Sequence, residues 1–180
     1  NVFIGSSDGY VRALTQFEGI LAWDCYPSDH PNSEVRSSPV VADSMVFVGS
    51  SGFDNGVYAL EEMTGKEIWN FQTQWQVVST PAVADGRVFV GAENDDRVYT
   101  LDEMTGTLLW GYHSGGWFSS PAVDRNKNLV IVICKDSRVH ALDTIYGILR
   151  WQSYVPGVID LSSPAISGNG CVYFGSMDNN

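Results

Sequence analysis

Apolar positions along the chain fall in short runs, and the runs keep a common period. Val2-Phe3-Ile4-Gly5, Val46-Phe47-Val48-Gly49, Val88-Phe89-Val90-Gly91, Val130-Ile131-Val132-Ile133 and Val172-Tyr173-Phe174-Gly175 start 44, 42, 42 and 42 residues apart. A second marker runs in the same register: Ser37-Ser38-Pro39, Ser79-Thr80-Pro81, Ser119-Ser120-Pro121 and Ser162-Ser163-Pro164. A third ends on tryptophan. RALTQFEGILAW closes at Trp23, YALEEMTGKEIW at Trp69, YTLDEMTGTLLW at Trp110 and HALDTIYGILRW at Trp151. Each carries a glycine four residues before the tryptophan: Gly19, Gly65, Gly106 and Gly147. Three markers holding one phase identify an internal repeat of about 42 residues.

Within one repeat the pattern predicts four strands. In the second, Pro39 to Ala42, Met45 to Ser50, Gly56 to Leu60 and Lys66 to Phe71 read as strands. Asp43-Ser44, Asp54-Asn55-Gly56 and Thr64-Gly65 supply the turns. No stretch of helical period competes with them. Four antiparallel strands per repeat is the blade of an all-β propeller, and a blade must stack on its neighbours to bury both faces. The expected division is a partial blade at 1–36, blades at 37–78, 79–118 and 119–161, and a partial blade at 162–180. The second strand at Val172 duplicates that at Val2, which favours an arc of a larger propeller. A closed four-bladed ring is the alternative.

The tryptophan segments resemble the tryptophan-docking repeat, also called the PQQ-like repeat. That family's pattern is Ala-Leu-Asp, two residues, Thr-Gly, three residues, Trp. YTLDEMTGTLLW follows it almost throughout, while HALDTIYGILRW has Tyr146 for Thr and RALTQFEGILAW has Thr15 for Asp and Glu18 for Thr. The resemblance covers essentially the whole chain. It implies that Trp23, Trp69, Trp110 and Trp151 dock between adjacent blades, over the turns that hold Gly19, Gly65, Gly106 and Gly147. An indole combines a large apolar area with one N–H donor, which suits that role.

Composition narrows the function. Hydrophobic residues make up 44% of the 180, enough for a core, and no apolar run reaches membrane-helix length. The net charge is −11, the wrong sign for a nucleic-acid binder. No P-loop or GxGxxG element occurs. Ser-Ser-Pro stands in every repeat, where a catalytic serine is needed once, so no catalytic residues are assigned. His30, His113 and His140 show no metal-ligand spacing, and no metal site is assigned either. Cys134 and Cys171 read as small strand hydrophobes and Cys25 as the exposed thiol. The loop acids Asp8, Asp54, Asp95, Asp96, Asp136 and Asp178 suit turn capping, or a ring that attracts cations.

The blade-to-blade loops 24–36, 70–78, 111–118 and 152–161 share one face of a propeller. They carry Tyr26, Trp75, Trp117 and Tyr154, a candidate rim for binding a protein partner, or covers for the inner strand ends. The expected function is a non-catalytic interaction or scaffold module within a larger protein or assembly, its partners being other subunits or the rest of a longer chain. Two alternatives come from the resemblance. One is a fragment of a pyrroloquinoline-quinone dehydrogenase with bound calcium. The adjacent cysteine pair that contacts the quinone in its alcohol dehydrogenases is missing here, and no cofactor is expected. The other is a propeller appended to an adenylating enzyme. Relatives of this repeat are often exported or lumenal.

Overall fold

The computed structural model describes residues 1–28, 30–113, 115–116, 119–155 and 162–175. All regular structure among them is β, in five antiparallel sheets whose strands follow chain order. The first sheet holds β1 (Val2–Gly5), β2 (Val11–Leu14) and β3 (Leu21–Cys25). The second holds β4 (Val40–Ala42), β5 (Met45–Gly49), β6 (Gly56–Glu61) and β7 (Glu67–Gln72). The third holds β8 (Ala82–Ala84), β9 (Arg87–Ala92), β10 (Arg97–Asp102) and β11 (Leu108–His113). The fourth holds β12 (Ala122–Asp124), β13 (Leu129–Cys134), β14 (Arg138–Asp143) and β15 (Leu149–Tyr154). A last pair is β16 (Ala165–Ile166) with β17 (Val172–Tyr173). The strands expected from the second repeat appear within one or two residues of their predicted bounds.

The chain divides into two compact units, Asn1–Pro81 and Ala82–Asn180. In the first, Val46 and Val48 of β5 and Tyr58 and Leu60 of β6 pack against Val11, Ala13 and Trp23. In the second, the second strand of a blade is buried on both faces. Val130 and Val132 of β13 pack with Phe89 and Val98. Ile131 and Ile133, on the opposite face, pack with Ile166 and Val172. A period of two places alternate residues against the preceding and following sheets, which is why this strand is apolar at nearly every position. Each such side chain contributes on the order of 1.5–3 kcal/mol through burial.

Every four-stranded blade, and the first sheet, breaks register at one place. Ala13 faces Trp23 and Leu14 faces Leu21, so Ala22 is an extra residue on the last strand. Ile68, Leu109 and Arg150 repeat the bulge. The bulge re-aims the next side chain, which is the tryptophan. Trp23 Nε1 donates to the Glu62 carbonyl at 3.0 Å, and Trp110 Nε1 to the Thr144 carbonyl at 3.1 Å. Both indoles cover the glycine turn of the following sheet. A Cβ on Gly65 would stand 2.6 Å from Trp23, and one on Gly147 2.5 Å from Trp110. Trp69 is buried against Phe47, whereas Trp151 is 40% exposed.

The Ser-Ser-Pro serines have a structural use. Ser37 Oγ accepts from Gly49 N at 2.7 Å, Ser119 Oγ from Ile133 N at 3.1 Å and Ser162 Oγ from Gly175 N at 2.7 Å. Each latches the incoming loop to the end of the second strand. Among the described residues no helix is long and apolar enough to cross a membrane.

Candidate functional site

The turn between the second and third strands of each four-stranded sheet, and the equivalent β1–β2 turn of the first sheet, carries an aspartate, and the residue four positions later on the next strand faces it. Asp8 takes the Arg12 guanidinium at 2.6 and 3.1 Å. Asp54 accepts from the Tyr58 hydroxyl and Asp95 from the Tyr99 hydroxyl. In the fourth sheet the partner is His140, whose Nε2 lies 3.7 Å from Asp136 Oδ1. The pairing has electrostatic consequences. Arg12, by hydrogen bonding, holds the Asp8 carboxyl well below the usual carboxylate range. Burial, then the Asp95 carboxylate, pushes the Tyr99 hydroxyl up to about 12. Burial and Asp54 push Tyr58 up in the same way. Asp8 and Asp136 also cap their turns, accepting from Tyr10 N at 3.1 Å and Arg138 N at 3.0 Å.

The fourth sheet differs from the others in the chemistry it gathers at this place. Cys134, the last residue of β13, occupies the position of Ser50 and Ala92. Its sulfur, an Asp136 oxygen and a His140 ring nitrogen all lie within 4.8 Å of one another. Cys134 and His140 are buried. Tyr112 of β11 reaches over from the third sheet, its hydroxyl 3.1 Å from His140 Nδ1. Arg138 holds the other Asp136 oxygen at 2.9 Å. Burial pushes the His140 pKa down, although the Asp136 charge pulls it partly back. Burial raises the Asp136 carboxyl, but hydrogen bonds from Arg138 and Cys134 outweigh it and hold the pKa below its ordinary value. These residues could hold a metal ion. The sequence reading passed over them because neither Cys134 nor His140 sits in a recognised ligand spacing.

The rim aromatics are placed unequally. Trp75 is 52% exposed beyond the end of β7, with its carbonyl held by the Thr73 hydroxyl at 2.6 Å. Tyr154 is 67% exposed, but it is the last residue of β15 rather than part of a loop. Tyr26 is turned inward: its hydroxyl donates to the His30 carbonyl at 2.8 Å, and its ring meets Tyr10 edge-on at 5.3 Å. It braces the long loop before β4. Trp117 lies outside the described residues, as does Asp178. The sequence reading missed Phe53, which is 74% exposed in the turn between β5 and β6, at the same end of the sheet as Trp75. A cleft of about 180 Å³ is lined by Asp54, Tyr58, Glu67 and His30.

The cysteine reading needs one correction. Cys171 is the exposed thiol, while Cys25 is half-buried against the first unit's core. Burial, then Asp24 and Glu67, pushes the Cys25 thiol up to about 11. The edge position of Cys25 suggested exposure, but the neighbouring sheet covers it.

Residues 2–180 match the protein family described as outer membrane protein assembly factor BamB. The chain belongs to that family. Its fold is also that of solved β-propellers. BamB from Moraxella catarrhalis superposes with a TM-score of 0.76 at 23% identity, over 92% of this chain and 49% of that one. A europium-containing methanol dehydrogenase gives 0.75 at 15% identity, over 91% and 42%. The WD40 β-propeller domain of Doa1 gives 0.75 at 20% identity, over 98% and 57%. At these identities the likeness is one of fold. The chain spans roughly half the length of the structures it matches. No protein of curated function matches the sequence.

Proposed function

We propose that this chain is part of a longer β-propeller that binds other protein subunits and acts as a scaffold within an assembly. The observation that carries the reading is an exposed large aromatic at the same strand end of a sheet in each unit. Trp75 and Phe53 flank one end of the second sheet, and Tyr154 stands at the corresponding end of the fourth. Each exposes at least half of its surface. Large aromatics with few rotamers supply contact area at low entropic cost, and interface centres favour Trp and Tyr. Trp117, the other rim tryptophan of the sequence reading, lies outside the described residues. The family's description as an assembly factor, and the BamB structure among its neighbours, support a protein partner over a small-molecule substrate.

Site-specific photo-crosslinking tests this. A photoreactive benzoylphenylalanine replaces Trp75 or Tyr154 in the native host, with exposed Lys66, in the turn at the opposite end of the second sheet, as control. Discrete protein adducts at 75 and 154, absent at 66, are expected. The same adduct pattern at all three positions would sink the proposal.

A further inference from the structure

We propose that Cys134, Asp136 and His140 form a binding site for a zinc-class divalent cation. The three residues present a thiol, a carboxylate and an imidazole, and their ligand atoms already lie within 4.8 Å of one another. Ligands of one tetrahedral Zn²⁺ ion stand about 3.3–3.8 Å apart, given metal–ligand bonds of about 2.0–2.3 Å. The 3.7 Å between His140 Nε2 and Asp136 Oδ1 falls in that interval and is too long for a hydrogen bond. The cluster therefore closes on an ion by side-chain shifts of about 1 Å or less.

The surrounding residues supply the second shell that metal ligands require. With the proton on His140 Nδ1 donated to the Tyr112 hydroxyl, Nε2, 3.7 Å from Asp136 Oδ1, becomes the ligand atom. The Arg138 guanidinium engages Asp136 Oδ2, while Oδ1 accepts from Arg138 N at 3.0 Å and offers its second lone pair to the ion. Its positive charge opposes a cation, but the thiolate and the carboxylate bring two negative charges to balance the ion's own. Binding replaces the Cys134 S–H bond by a metal–sulfur bond, and the proton leaves to solvent. A thiolate with an imidazole selects Zn²⁺ or Co²⁺ over Mg²⁺ and Ca²⁺, which prefer all-oxygen shells. Three protein ligands leave a coordination position for water. Entry is from the Asp136 side, the one side chain of the three that keeps appreciable exposure.

The repeat itself provides variants suited to the test. Cys134→Ala and His140→Tyr install the residues that the third sheet already carries at the same positions, Ala92 and Tyr99. Co²⁺ is titrated into the full chain under reducing conditions, and absorption is followed. The expected result is a thiolate-to-Co²⁺ charge-transfer band that saturates at one equivalent and is displaced by Zn²⁺. Cys134→Ala and His140→Tyr abolish the band, Cys25→Ser and Cys171→Ser retain it, and Tyr112→Phe weakens binding roughly 10–100-fold. Absence of the band in the unmodified chain overturns the proposal without any variant. So does a band that survives Cys134→Ala or follows Cys171.

Discussion

Gly19 and Gly65 hold the same place in successive turns, with φ of 67° and 72°. Both need the left-handed region, yet their surroundings differ. Nothing lies within 4 Å of a Cβ built on Gly19, whereas one on Gly65 meets the Trp23 ring at 2.6 Å. Gly19→Ala is therefore expected to cost only the backbone strain, about 1–2 kcal/mol. Gly65→Ala must in addition displace an indole that is hydrogen-bonded to Glu62, and its loss of stability exceeds that of Gly19→Ala. Urea denaturation of the two variants measures the difference; equal losses would remove the indole from the account. The tryptophans and glycines were legible in the sequence because each recurs at a fixed spacing in every repeat. Phe53 was not, because it recurs nowhere. The hydrogen bond of Tyr26 was not legible either, because an aromatic in a long loop gives no sign of whether its hydroxyl finds a carbonyl nearby.

At the scale of the element, one extra residue in the last strand of each of the first four sheets decides where the tryptophan points. Leu109 is that residue in the third sheet, between Leu108 opposite Leu101 and Trp110 opposite Thr100. In a regular strand a shift of one residue moves a side chain to the other face. Deleting Leu109 is expected to rotate Trp110 away from the Thr144 carbonyl and the Gly147 turn. The loss should match that of Trp110→Ala, about 3 kcal/mol, the low end for an aromatic because Trp110 is only partly buried. Near-ultraviolet circular dichroism with denaturant melts would detect it; a deletion that leaves both unchanged shows that the bulge does not aim the indole. The strands themselves were readable from period-2 alternation and turn residues, which are local properties. The bulge was not readable, since alternation in Glu67–Gln72 or Leu108–His113 does not reveal which residue its partner strand skips.

At the scale of the whole molecule, the chain matches roughly half the length of related propellers. The proposed membership of a longer propeller predicts an intact mass, for protein purified from its natural source, well above 19.8 kDa. A measured mass of 19.8 kDa would count against it and move attention to partners that complete the sheets. The repeat, the four-strand blade, the recurring tryptophans and the acidic charge are all written in the sequence alone, because spacing and alternation are properties of neighbours along the chain. The convergence of Cys134, Asp136 and His140 with Tyr112, 22 residues upstream of Cys134 on another sheet, is not. Nor is the outward turn of Trp75 against the inward turn of Tyr26. Those depend on strand register and on which sheet stacks on which. Only tertiary structure decides such contacts, because they join residues that the chain itself keeps far apart.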